Sequence, residues 1–120
     1  MSSIENKNNE RAKFAFDEVK KILAHQSKFR SLARSFPTLV QVNGLTAAVA
    51  FLYAKGKGEH QILYEILSKR LCVLGDEKIE LIDMISNMGS NELRFATTEV
   101  MALLVWIKRF AEGMFEADEE

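Results

Sequence analysis

Two histidines, one cysteine and one glycine-rich basic turn are the residues of this chain whose types could carry chemistry. A catalytic centre needs a positioned nucleophile, an acid–base pair or a bound metal. His25 and His60 are 35 residues apart, and neither has a helical His or Glu partner at metal-site spacing. Both read as solvated surface histidines. Cys72 stands in the apolar run Leu71-Cys72-Val73-Leu74 and reads as a buried, inert thiol. Lys55-Gly56-Lys57-Gly58 lacks the Walker spacing and the Ser/Thr that follows it, which leaves a phosphate-touching turn or an ordinary loop. Some small helical RNases place an Arg shortly before a His. Here Arg11 is too far from His25, and Lys55 precedes His60. No catalytic residue, metal ligand or cofactor is assigned.

The cations are the stronger signal. On the first helical segment Lys13 and Lys20 share a face, and Arg11, Phe14, Lys21 and His25 line an adjacent strip. Phe14 falls off the apolar stripe, so an aromatic ring sits among cations. Lys28, Arg30 and Arg34 carry the basic content into the next segment. Clustered Lys and Arg bind phosphate backbones, and bases or sugars rest on aromatic rings. The candidate RNA contacts are therefore Lys13, Lys20, Lys21, Lys28, Arg30 and Arg34 first, then Lys55 and Lys57, then Lys108 and Arg109 beside Trp106. Asp17 and Glu18 dilute the patch, and Asp17 with Lys21 also fits a plain i,i+4 pair.

These residues must be positioned by helices. One proline and six glycines in 120 residues favour long helices, and no segment alternates with period two for long enough to be a strand. The expectation is an all-α protein, a single compact bundle of about six helices over residues 1–120, with 1–9 and 116–120 as flexible ends. The first helix spans about 10–26, with Ala12, Ala15, Phe16, Val19, Ile22 and Leu23 on one stripe. The second starts near Lys28 with Phe29, Leu32, Ala33 and Phe36 inward, and Pro37 ends, kinks or restarts it. The third runs from Asn43-Gly44 to Ala54, with Asn43 as N-cap. The fourth covers Glu59–Leu74 and closes at Gly75. The fifth covers about 76–88 with Asp76 as N-cap, and the sixth 91–116, capped by Ser90 or Asn91.

The sixth helix has a core stripe of Leu93, Ala96, Val100, Leu103, Leu104, Ile107, Ala111 and Met114. Phe95, Ala102 and Trp106 lie nearly opposite. Either this helix is covered on two sides within the bundle, or the second stripe meets another molecule. Phe14, Phe95 and Trp106 are the candidate subunit-interface residues.

Composition limits the partners. At 48% hydrophobic residues the chain can bury a core, and no apolar run approaches the roughly 20 residues of a membrane span. A lone Cys72 and a polar N-terminus point to a cytoplasmic protein. The net charge of −1 hides an asymmetry, with 12 Lys/Arg against 6 Asp/Glu in residues 1–70 and 4 against 11 in residues 71–120. Such halves serve a nucleic-acid surface or head-to-tail association, or neutralise each other within one fold.

Four stretches, Arg11–Ala15 (RAKFA), Arg34–Val40 (RSFPTLV), Gln41–Lys55 (QVNGLTAAVAFLYAK) and Leu103–Glu112 (LLVWIKRFAE), together resemble the small helical subunit of type III-B CRISPR RNA-targeting effector complexes. The resemblance covers Arg11 to Phe115, with Gly75–Asn91 least distinctive. It implies an all-helical, non-catalytic subunit that stacks beside the backbone subunits and helps hold the guide RNA–target RNA duplex in antiviral defence. The implied partners are the other effector subunits, neighbouring copies of the chain and that duplex, with no membrane and no small-molecule substrate.

Overall fold

A computed structural model of the chain describes residues 3–72 and 80–117. Six helices follow in order: α1 Ser3–Lys20, α2 Gln26–Asn43, α3 Leu45–Lys55, α4 Gly58–Leu71, α5 Leu81–Ser86 and α6 Ser90–Met114. The described residues contain no strand, and the expected all-α bundle is what the chain forms.

α6 is the longest helix of the bundle. Its 25 residues span about 38 Å at 1.5 Å per residue. Its stripe of Ala96, Val100, Leu103, Leu104, Ile107 and Ala111 is buried against α1 and α2. α3 and α4 pack on the far side of α2, and α5 closes over α3 and α4. Ala15 and Val19 come in from α1, and Phe29, Ala33, Phe36 and Val40 from α2. Leu45, Ala48, Val49 and Leu52 of α3 join them, with Leu63, Tyr64, Ile66 and Leu67 of α4. No charged residue is buried among the described residues. Each fully buried Leu, Ile or Phe contributes roughly 1.5–3 kcal/mol.

Several boundaries differ from the sequence expectation. α1 begins at Ser3, so residues 3–9, expected as a flexible end, are helical. It also stops early, at Lys20. Lys21 N–H donates to Glu18 O at 3.3 Å and Ile22 N–H to Val19 O at 3.1 Å, a tighter last turn. The Gln26 amide then caps the end on Ile22 O at 2.8 Å. The helical register therefore ends before Leu23, which is 88% exposed rather than in the core stripe. Phe16 is likewise on the rim, exposed at one edge.

Pro37 neither ends nor restarts α2, which runs through it to Asn43. A mid-helix proline costs about 3 kcal/mol. Phe29, Ala33, Phe36 and Val40, buried on both sides of it, offset that cost. What stops α2 is Gly44, at φ 88° and ψ 161°, a region nearly exclusive to glycine. Gly44 N–H closes α2 on Val40 O at 2.8 Å, and Gly44 O accepts the first bond of α3 from Ala48 at 3.1 Å. Asn43 is thus the last residue of α2, not the N-cap of α3.

α4 ends at Leu71, three residues before the expected end, and α5 is a short helix with no side-chain N-cap of its own. The expected closing glycine Gly75, the expected cap Asp76 and Glu77 lie outside the described residues, as does the end of the acidic tail, residues 118–120. Tyr64 of α4 supplies the missing acceptor: its hydroxyl takes the Ile82 N–H at 3.2 Å and donates to Glu80. Burial, with that bond to Glu80, pushes the Tyr64 hydroxyl up to about 12. α6 is capped one residue earlier than expected, by the Glu92 carboxylate accepting Gly89 N–H at 3.2 Å.

The α2–α3 link gives a clean test. A Cβ added at Gly44 meets nothing within 4 Å, so Gly44→Ala adds backbone strain without a clash. The expected loss is about 1–3 kcal/mol in urea unfolding. A change below about 0.3 kcal/mol would mean that Gly44 does not need its positive φ.

Candidate nucleic-acid interface

The cations expected to bind RNA divide into two groups by what they face. Those of α1 are largely engaged within the fold. Arg11 turns inward and grips Glu99 of α6, its Nε 3.1 and 3.2 Å from the two carboxylate oxygens and its Nη2 2.9 Å from Oε1. Arg70 of α4 reaches the same carboxylate through Nε at 2.9 Å and Glu10 through Nη2 at 2.8 Å. The Arg70 guanidinium lies over the Phe14 ring at 5.4 Å, so Phe14 is half-buried beneath a cation of its own chain. Lys13 and Lys20 share Asp17 at 3.3 and 3.5 Å, and Lys21 and Lys69 share Glu18 at 3.1 and 3.0 Å.

Glu99 is the keystone of this network, which ties α1, α4 and α6 together. Burial pushes its carboxyl up, but the hydrogen bonds from Arg11 and Arg70 prevail and hold it below the usual carboxylate range. Asp17, half-exposed, is lowered by its bonds to Lys13 and Lys20. Sequence reasoning missed the network because Arg11 and Glu99 are 88 residues apart, and pairings at that distance leave no trace in periodicity.

A second group remains unpaired. Among the described residues no ion pair engages Lys28, Arg34, Lys55, Lys57, Lys108 or Arg109. Arg30 is half-buried, its Nε enclosed and without a hydrogen-bond partner among the described residues. Lys28 and the Lys55–Lys57 turn, distant in sequence, meet across a cavity of about 490 Å³ whose other lining residues are His25, Gly58, Glu59 and His60. His60 is not a solvated surface histidine. It is half-buried, edge-on to Phe51 with ring centroids 5.2 Å apart, and its Nδ1 is 3.5 Å from Glu59. Lys55 Nζ lies 5.7 Å from the Phe51 ring centre.

The second stripe of α6 also divides. Trp106 stacks on Phe110 at 6.1 Å, Phe110 meets Phe16 edge-on at 5.4 Å, and Arg109 and Lys20 lie over the two ends of this ladder. Trp106 is therefore covered in part by its own fold. Phe95 is 77% exposed and stays open.

Cys72 is half-buried, its Sγ 3.9 Å from Met84 Sδ, and burial pushes the thiol up. Among the described residues no group of three or more His, Cys, Asp or Glu is placed to hold a metal. No described helix is long and apolar enough to cross a membrane.

The described residues thus form a small all-helical bundle with a cation-lined cavity between α2 and the α3–α4 turn. The family profile described as CRISPR-associated protein (Cas_Cmr5) matches residues 7–114, and the chain belongs to that family. It is 31% identical over 108 residues to the protein named "CRISPR system Cmr subunit Cmr5" of Thermus thermophilus, covering 88% of this chain and 92% of that one. It is also similar to the crystal structure of a CRISPR-associated Cmr5 family protein from the same organism. That match has a TM-score of 0.79 and 26% identity, and covers 97% of this chain and 100% of the other.

The Glu99 clamp predicts an acid-side instability. A carboxyl held below its unfolded value contributes its full stability above that value, about 4.5, and loses it as the pH falls through the lowered folded value. Glu99→Gln is expected to lower stability by roughly 1–2 kcal/mol at pH 7, with the difference shrinking below pH 4.5. Urea unfolding at several pH values checks it, and a deficit independent of pH would rule the charge out as its source.

Proposed function

We propose that this chain is a non-catalytic small subunit of a type III-B CRISPR ribonucleoprotein. It stacks with copies of itself and with other effector subunits along the guide RNA–target RNA duplex, and it contributes cations to the target-RNA path. The observation that carries the reading is the family match across residues 7–114. Two features of the surface support its finer parts. Lys28, Arg34, Lys55, Lys57 and Arg109 are exposed or half-exposed without an acid partner among the described residues. Phe95 is an open aromatic ring on the longest helix, the type of residue that anchors interfaces. Repetition along a filament multiplies weak contacts, so one copy needs only a few phosphate contacts.

In the assembled complex, reversing Lys13, Lys20, Lys28, Arg34, Lys55, Lys57 and Arg109 to Glu is expected to lower target-RNA affinity about equally across sequences and to flatten its salt dependence, with guide loading intact. Arg30 stays out of the set because its Nε is enclosed within the fold, so reversal there would also disturb packing. If that complex assembles and binds target RNA with unchanged affinity and salt slope, the subunit is a scaffold alone.

For assembly, Phe95→Ser is expected to weaken incorporation into the complex without lowering the melting temperature of the free chain. Trp106→Ala is expected to lower that temperature, because Trp106 packs on Phe110. Size-exclusion chromatography and thermal melting separate the two. Normal incorporation of the Phe95 variant would remove that ring from the interface.

A further inference from the structure

Four properties coincide in the cavity between the start of α2 and the α3–α4 turn. It gathers three lysines, Lys28, Lys55 and Lys57, against a single carboxylate, Glu59, whose Oε2 lies 3.5 Å from His60 Nδ1. On α1, by contrast, Lys13 and Lys20 share one aspartate and leave a smaller excess of charge. The first turn of α4 opens into the cavity. Lys57 is extended and supplies no side-chain cap, and the first intrahelical bond is Gln61 N–H to Lys57 O. The amides of Gly58, Glu59 and His60 therefore precede any intrahelical acceptor, and they carry the positive end of the helix dipole.

The backbone is also bent to build this place. Gly56 and Gly58 stand at φ 62° and 58°, and a Cβ at Gly58 would lie 3.8 Å from the His25 ring. His25 is the one non-glycine residue with positive φ among the described residues, at 63°. A left-handed conformation costs a non-glycine residue about 1–2 kcal/mol, and such strain concentrates where a chain serves a ligand. Here it brings an imidazole over the glycine turn. The cavity, of about 490 Å³, has room for a phosphodiester and its flanking sugars.

We infer that this cavity is a seat for one backbone phosphate of RNA. Lys28, Lys55 and Lys57 supply the charge, the α4 amides point hydrogen bonds at the phosphate oxygens, and His25 and His60 flank it. The inference rests on the proposed target-RNA contact and places it at α2–α4 rather than on the α1 face. It reads no sequence, since a backbone phosphate is common to all four nucleotides.

The full chain, labelled with 15N and 13C, is titrated at low salt with hexauridylate and, separately, with inorganic phosphate at matched ionic strength. The amides of Lys57, Gly58 and His60 and the ring carbons of His25 are expected to shift saturably with the oligonucleotide and more weakly with phosphate. Shifts centred on Lys13, Lys20 or Arg109, or none up to millimolar oligonucleotide, overturn the assignment. Equal or tighter binding of inorganic phosphate overturns it in favour of a free-anion site. In the assembled complex, Lys28→Gln with Lys55→Gln and Lys57→Gln is expected to reduce the salt slope of target-RNA binding by about 0.7 for each phosphate released. If the seven-residue reversal abolishes RNA binding but this triple variant leaves affinity and slope unchanged, the cavity is excluded while the RNA contact stands. If neither variant changes binding, both fail.

Discussion

The burial of one face of α6 is the constraint on which the rest of the molecule depends. Ala96, Val100, Leu103, Leu104, Ile107 and Ala111 repeat at helical spacing along the 25-residue helix, and α1 and α2 lie along that stripe. A close-packed apolar seam leaves no place inside for charged side chains, and no charged residue is buried among the described residues. Charged residues adjoining the seam must find partners at its edge. Glu99, next to Val100 in sequence, does so with Arg11 and Arg70, and in doing so ties three helices together at the margin of the core.

At that edge the basic and acidic halves of the sequence meet on one acid, Glu99, held by Arg11 and Arg70. Part of the basic half is engaged within the fold: Arg11, Arg70 and Lys69 bridge to acids on other helices, and Lys13, Lys20 and Lys21 pair along α1. Exposed pairs of the last kind are worth little, and salt weakens them further. They still lower the local field that a polyanion would meet. The cations outside these pairs meet no acid partner among the described residues, and three of them converge on one cavity beside Glu59. Neutralisation within the fold and a residual basic surface thus coexist, each on different residues.

Turns decide where that convergence falls. A single residue, Gly44, joins α2 to α3, and two, Gly56 and Lys57, join α3 to α4. Links this short force α3 and α4 back across α2. The Lys55–Lys57 turn then lies beside the start of α2, with Lys28 and His25 opposite. Tyr64, reaching from α4 to the first turn of α5, completes the same packing layer.

The helical class, six helices, the inward residues of α2 and the α6 stripe from Ala96 to Ala111 followed from the sequence, because apolar periodicity is set by local geometry. Met114, expected at the end of that stripe, is exposed in the last turn of α6, beyond the reach of the core. The small-subunit resemblance was also legible, in RSFP, NGL and WIKRFAE as an ordered set. Tertiary structure decided what spacing cannot encode. It carried α2 through Pro37 on the strength of packing, put Leu23 in solvent by ending α1 at Lys20, and covered Trp106 while leaving Phe95 open. It also sorted the cations into paired and free. A lysine's chemistry is the same in either state, and only the position of an acid many residues away, brought near by the folding of other helices, determines whether its charge is available to a ligand.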